Sequence, residues 1–129
     1  MPYLHIQISG ERDDQLAAGV AERAVHMTET LLGKDRSLTA VVIDFIDPAL
    51  WFIGGKRLLA SGPRSYHWMV SITDETNTKR EKATYLAAVH SAMGELLGGV
   101  AEHSYVHVAD LRATAYGFGG RTQEHRYNA

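Results

Sequence analysis

The chain repeats itself, and that repeat constrains its fold more than any other feature. Leu31-Leu32-Gly33 returns as Leu96-Leu97-Gly98, Val41 and Ile43 return as Val106 and Val108, and Ile53-Gly54-Gly55 returns as Phe118-Gly119-Gly120. The offset is about 65 residues, with a slip of one near the first strand. Each half reads strand, helix, strand, short hairpin. In the first, Leu4, Ile6 and Ile8 alternate with His5, Gln7 and Ser9 over Pro2 to Ser9, the period of a half-buried strand. Gly10 to Asp14 turns the chain, with Asp13 or Asp14 as helix N-cap. Leu16, Val20, Ala24, Met27 and Leu31 then form a helical stripe that stops at Gly33. Ala40 to Ile46 is a β-branched apolar run, hence a second strand, and Pro48 ends it.

The second half follows the same order. Trp68, Val70 and Ile72 are strand positions, Asp74 to Thr78 is a turn, and Thr78 with Glu81 has capping-box spacing. Tyr85, Leu86, Val89, Met93 and Leu96 are a helical stripe ended by Gly98-Gly99, Ser104 to Leu111 is a strand, and Tyr116 to Gly120 closes the unit. A helix between paired strands makes each half a parallel, right-handed β-α-β crossover. One half is too small to hold a core alone. Residues 1–60 and 66–129 therefore read as halves of one domain, joined by a linker over 56–65. Arg121 to Ala129 is a polar tail, either a flexible end or an interface arm.

Composition narrows the function classes. Apolar residues make up 45% and charged residues 22%, enough for a real core, and the net charge of −2 gives no basic field for nucleic acid or an anionic membrane. With no cysteine, thiolate catalysis, disulfides and cysteine-type zinc sites are excluded. The N-terminus lacks the basic and apolar regions of a signal peptide, and no stretch is long enough to span a bilayer. A soluble, cytoplasmic protein is the expectation. Seven histidines invite a metal reading, but His103 and His107 lie at a strand start and His26 and His90 on separate helices, so no metal is expected. Gly54-Gly55 and Gly119-Gly120 lack a phosphate-loop context and read as turns or bulges.

Pro2 directly after Met1, an alternating strand, Arg12 in the turn, a helix, a strand and an aromatic-Ile-Gly-Gly hairpin together resemble the tautomerase superfamily, typified by 4-oxalocrotonate tautomerase. Two such units in one chain are similar to the longer members, macrophage migration inhibitory factor and cis-3-chloroacrylic acid dehalogenase. The resemblance spans nearly the whole chain. It implies a two-layer α/β (α+β) fold: a four-stranded mixed sheet with two helices on one face, assembled as a homotrimer with the catalytic proline in a pocket at a subunit interface. It also implies a cofactor-free enzyme acting on a small carboxylate-bearing substrate, as keto–enol tautomerase of a 2-oxo acid. The alternatives are a dehalogenase, hydratase or decarboxylase on acrylate-type acids, or a trimeric binding protein without turnover.

The physics of an N-terminal proline suits that role. With Met1 removed, Pro2 carries a secondary amine, and a free α-amino group titrates at roughly 7.7–8.0. Burial or a nearby cation lowers that value, leaving a base that can move a proton between carbon and oxygen near neutrality. With Met1 retained, the nitrogen is an amide and has no basicity.

Carried over residue by residue, the resemblance is mosaic. Arg12 matches the tautomerase's carboxylate-binding arginine, but its second arginine falls on Ala40 and its pocket aromatic on Trp51. The two arginines of the dehalogenase fall on Asp74 and Asn77, and its water-activating glutamate falls near Ala115, which argues against that route. Lys34 resembles the pocket lysine of the migration inhibitory factor, while Tyr105 and His107 fall on its pocket tyrosine and asparagine. The expected machinery is thus Pro2 as base, His107 or Tyr105 steadying an oxyanion, and Arg12 or Lys34 binding the carboxylate. Trp51, Asp74 and Asn77 would line the pocket. The plain alternatives are a solvated Arg12 paired with a neighbouring Asp, Lys34 as an exposed charge at a helix C-terminus, His107 as a satisfied strand histidine, and Asp74 as a turn residue.

Overall fold

The computed structural model describes residues 2–127, so Met1 and the last two residues of the tail lie outside the described residues. Among the described residues, eight strands and three α-helices follow one another: β1 (Tyr3–Ser9), α1 (Asp14–Leu32), β2 (Ala40–Ile46), β3 (Phe52–Ile53), β4 (Lys56–Arg57), β5 (Tyr66–Thr73), α2 (Lys79–Leu97), β6 (Tyr105–Leu111), β7 (Gly117–Phe118), β8 (Arg121–Thr122) and α3 (Gln123–Tyr127). Short 3₁₀ turns at Arg36–Leu38 and Pro48–Leu50 flank β2.

One four-stranded sheet carries the fold, in the order β2-β1-β5-β6. β1 and β2 are parallel (Tyr3 opposite Ala40), β5 and β6 are parallel (His67 opposite Tyr105), and β1 and β5 meet antiparallel in the middle (Leu4 opposite Val70). That order reads the same from either edge, as an internal duplication requires, and the Val41 and Val106 strands share one sheet. The register also locates the one-residue slip. Ala40 and Tyr105 are 65 apart, whereas their partners Tyr3 and His67 are 64 apart. Pro2 therefore corresponds to Tyr66 in the second half.

Alternation decides which face is covered. Leu4, Ile6, Ile8, Tyr66, Trp68, Val70 and Ile72 are buried beneath α1 and α2, while Tyr3, His5 and Gln7 face outward. The helices supply Val20, Ala24, Met27, Tyr85, Val89 and Met93 to the same core. At its centre the Trp68 indole donates to Tyr85 Oη (3.1 Å), which is bonded in turn to Thr28 Oγ1 (2.9 Å), so the polar atoms of both aromatic rings are satisfied.

The helix ends follow the sequence signals. Asp13 caps α1 through Leu16 N (3.0 Å), and Thr78 and Glu81 form the capping box of α2. Gly33 and Gly98 end the helices with φ of +70° and +73°, the left-handed conformation that favours glycine. Both Gly-Gly pairs make two-residue hairpin turns, β3–β4 and β7–β8. Of the two expectations for the polar tail, a flexible end or an interface arm, the described residues do not fit the first: Arg121–Thr122 pairs with Gly117–Phe118, and Gln123–Tyr127 is a short helix held by Gln123 N to Tyr116 O (2.9 Å).

Candidate functional site

Pro2 continues the inward parity of Leu4 and Ile6, and it is buried at the start of the central strand. Its carbonyl accepts from Ala40 N (3.2 Å), which fixes it against the start of β2. The same end of the sheet receives the C-terminal ends of β5 and β6, because those strands run opposite to β1. The C-terminus of α1 also arrives there. Lys34 follows the left-handed Gly33, and its ammonium donates to Thr76 Oγ1 (2.9 Å). Thr76 Oγ1 donates to Thr73 O (2.6 Å), and Asn77 Nδ2 donates to Leu32 O (2.9 Å). The turn before α2 is thereby stapled to the end of α1, with Lys34 in the seam.

The charge balance at this end is distinctive. Lys34 is half-buried, and burial lowers its pKa from the ordinary 10.5, against a smaller opposing pull from Glu81 and Asp110. Neither acid pairs with it. Glu81 is committed to the α2 capping box through Thr78 N (2.7 Å), and Asp110 is bonded to Lys82 (2.6 Å). Among the described residues Lys34 has no carboxylate partner. Asp74 lies in the exposed turn beyond β5, its amide bonded to Leu111 O (2.8 Å), beside a cavity of about 260 Å³ that it shares with Arg112 and Glu124. Pro2, Lys34, Asp74 and Asn77 thus gather at one end.

Arg12 and Trp51 lie at the other end of the same strands. Arg12 follows β1, and Trp51 follows β2, whose Ile46 is level with Ser9. Seven residues of β1 separate the ends, on the order of 20 Å at strand rise. Arg12 is 81% exposed and bonded to Asp14 (2.7 Å), which raises its pKa and lowers that of Asp14. Within this chain Arg12 stands exposed in the turn after β1 and is paired with Asp14.

Tyr105 and His107 lie on the open face of the sheet, opposite to the layer that holds Pro2. Tyr105 is 59% exposed and stacks on the His107 ring, with centroids 6.4 Å apart. His107 Nδ1 meets His67 Nε2 (2.8 Å), and the other nitrogen of His67 approaches Gln7 Oε1 (3.3 Å). Nearby, His5 is bonded to Asp44 (2.6 Å). Burial chiefly, then His107 and His5, lowers the pKa of His67. The sequence set His5 on the polar face of its strand and singled out His107, but it did not reveal His67 and Asp44; their shared outward parity was the available signal. Among the described residues no three His, Asp or Glu side chains are grouped to hold a metal ion, and no helix is long and apolar enough to cross a membrane.

No family model matches the sequence, and no curated protein matches it. Solved structures do match the fold. A crystal structure of a protein inactivated by 2-oxo-3-pentynoate superposes with a TM-score of 0.83 at 14% identity, covering 96% of this chain and 98% of that one. A fused 4-OT solved as a symmetric trimer gives 0.82 at 15% identity, covering 95% and 96%. A macrophage migration inhibitory factor-like protein from Entamoeba histolytica gives 0.76 at 14% identity, covering 94% and 97%. The chain therefore has the fold of fused 4-OT and of migration inhibitory factor-like proteins, the fold that the sequence resemblance implied.

Proposed function

We propose that this chain is a cofactor-free keto–enol tautomerase of small 2-oxo acids, with Pro2 as its base and Lys34 as its carboxylate anchor. The observation that carries this reading is that a buried proline at the start of β1 and a half-buried ammonium, without a carboxylate partner among the described residues, lie at the same end of the sheet. Once Met1 is removed, the cation and the apolar core beneath favour the neutral amine. A substrate carboxylate on Lys34 would complete the missing ion pair and present the adjacent carbon to Pro2. Thr76 orients the ammonium, and Asn77 holds its loop.

The working form would be a homotrimer. The open sheet face exposes Tyr3, Val42 and Tyr105, and the 3₁₀ turn and hairpin after β2 present Leu50 at 72% and Phe52 at 59% exposure. Such apolar groups suit a subunit interface. Tyr105 and His107 of one chain could act at another chain's Pro2 only through such an assembly. The fold-related trimeric fused 4-OT supports this reading.

The test uses 2-oxo-3-pentynoate, the compound that inactivates the fold-related protein. Processed protein should lose activity with one adduct per chain, placed on Pro2 by peptide mass spectrometry. An adduct elsewhere, or full activity of Pro2→Ala on the best substrate found, would overturn the assignment. A general base contributes about 10²–10⁴-fold, so Pro2→Ala should lose activity in that range.

A further inference from the structure

The duplication gives the sheet a second end, and that end is not a copy of the first. Where the first half places Pro2, the second places Tyr66, whose phenol is bonded to His90 Nδ1 (2.8 Å) and pushed up to about 12 by burial. No chain terminus lies there, so no amine is available. Where the first half places Lys34, the second places Gly99. A cation returns from a different source, Arg64, at the end of the linker.

Arg64 is fixed along its length. Its carbonyl accepts from Ala101 N (2.8 Å), and it bridges to Val100. Its guanidinium Nε donates to Ser9 O (2.8 Å). The terminal nitrogen lies so close to Gly10 that a Cβ there would sit 2.6 Å from Arg64 Nη2. Gly10, at φ +130°, leaves room for the guanidinium. A main-chain bond from Ser9 N to Ser65 O (3.0 Å) and a bond from Ser65 N to the Ser9 hydroxyl Oγ (2.9 Å) lock the two strands beside it. Among the described residues Arg64 has no carboxylate partner.

Arg64 lines a cavity of about 470 Å³, within the range of small-molecule sites. Pro48, Leu59 and Pro63 supply apolar wall, and Arg12 stands at the rim. The nearby acids are largely committed: Asp13 caps α1 and Asp14 holds Arg12. Glu11 also lines the cavity and disfavours a second negative charge on the occupant.

We infer that this cavity is a second binding site, for a small monocarboxylate with an apolar tail, in which Arg64 takes the carboxylate and no chemistry follows. The fork of Arg64 offers its free edge to both carboxylate oxygens, and the tail lies on Leu59 and the prolines. The chain then binds two molecules of one ligand class at its two ends, with turnover only at the end that carries an amine. Because the site contains no part of the Pro2 machinery, its failure and the failure of the proposed activity are separable.

The experiment is a titration of the full chain with phenylacetate, which has no enolisable ketone, followed by amide NMR. Saturable shifts should centre on Gly10, Leu59 and Ser65. They should persist unchanged in Lys34→Gln and weaken at least tenfold in Arg64→Gln, as loss of a charge-assisted hydrogen bond requires. Arg64→Lys keeps the charge without the fork and should also weaken binding, which provides a milder variant if Arg64→Gln does not fold. Shifts confined to the Lys34 end, no saturable shift at all, or wild-type affinity in Arg64→Lys and Arg64→Gln would overturn the inference.

Discussion

Replacing Lys34 by Gln tests the proposed chemistry where its geometry is clearest. The substitution removes one positive charge and leaves an amide able to reach toward Thr76 Oγ1, the partner that the ammonium holds at 2.9 Å. No ion pair is broken, because Lys34 has no carboxylate partner among the described residues. Stability should therefore move by no more than about 0.5–1.5 kcal/mol, the net worth of the one hydrogen bond to Thr76. Activity should not be spared. A hydrogen bond to a charged group is worth about 1.5–3 kcal/mol, and each 1.4 kcal/mol is tenfold. Lys34→Gln should thus lose roughly 10- to 100-fold in kcat/KM on the enol of a phenylpyruvate-type acid, followed by its ultraviolet absorbance. If the ammonium holds the carboxylate equally in ground and transition states, the loss falls in KM. The pH profile adds a second reading. Burial lowers the pKa of Lys34, so the cation is lost at a pH below the ordinary lysine value of 10.5, and activity should fall on that alkaline limb. Lys34→Arg, which keeps its charge, should lose the limb and keep most of the rate. A Lys34→Gln protein with wild-type kcat/KM and an unchanged alkaline limb would refute the anchor role, whatever Pro2 does.

Other consequences follow from the packing. Tyr85→Phe removes the oxygen that Thr28 and the Trp68 indole share in the core, leaving a buried donor unpaired; it should cost about 1–3 kcal/mol in urea unfolding. Thr78→Ala removes the side-chain half of the α2 capping box and should cost about 1 kcal/mol, a few degrees in Tm by calorimetry. Glu81 has its pKa lowered by its bonds to Thr78, so its contribution is complete above the ordinary 4.5 and is lost as pH falls through the lowered value; Glu81→Gln should flatten stability in that window. His67 also has a lowered pKa, so the unfolded chain takes up its proton first. Stability should be complete above about 6.5 and decline as pH falls toward the lowered value, and His67→Gln should reduce that decline.

The fold was legible because its signals are local and doubled. The alternation of Leu4, Ile6 and Ile8, the capping box at Thr78 and the stops at Gly33 and Gly98 each depend on a few neighbouring residues, and each half checks the other. The candidate site was legible only in part. Lys34 and Asn77 reach the Pro2 end through the staple between the turn before α2 and the end of α1, in which Asn77 bonds to Leu32 O. Nothing local in the sequence encodes that contact. Arg12 sits at the same point of the repeat as the turn before α2, but the antiparallel middle of the sheet sends it to the opposite end. Arg64 was passed over because a linker arginine has no periodicity; only the approach of Gly10 and Ser9 shows how firmly it is held.

That separation bears on what a single chain can do. The sheet divides the candidate residues into three places: Pro2 with Lys34 at one end, Arg12 with Trp51 at the other, and Tyr105 with His107 on the open face. Side chains on opposite faces of a sheet cannot converge on one small molecule, and on the order of 20 Å along β1 separates the ends. Pro2 and Lys34 are therefore the part of the proposed machinery that one chain supplies. Tyr105 and His107 can contribute only across an interface, and their exposure is what such an interface would use. The two proposals then differ in their dependence on assembly. Catalysis that draws on a neighbour's Tyr105 or His107 should fall when dilution separates the chains. Carboxylate binding at Arg64, built from the end of β1, the turn before α1, Pro48 and the linker of one chain, should not. Activity per chain that stays constant from assembled to monomeric protein would remove Tyr105 and His107 from the mechanism and leave Pro2 and Lys34 to carry it.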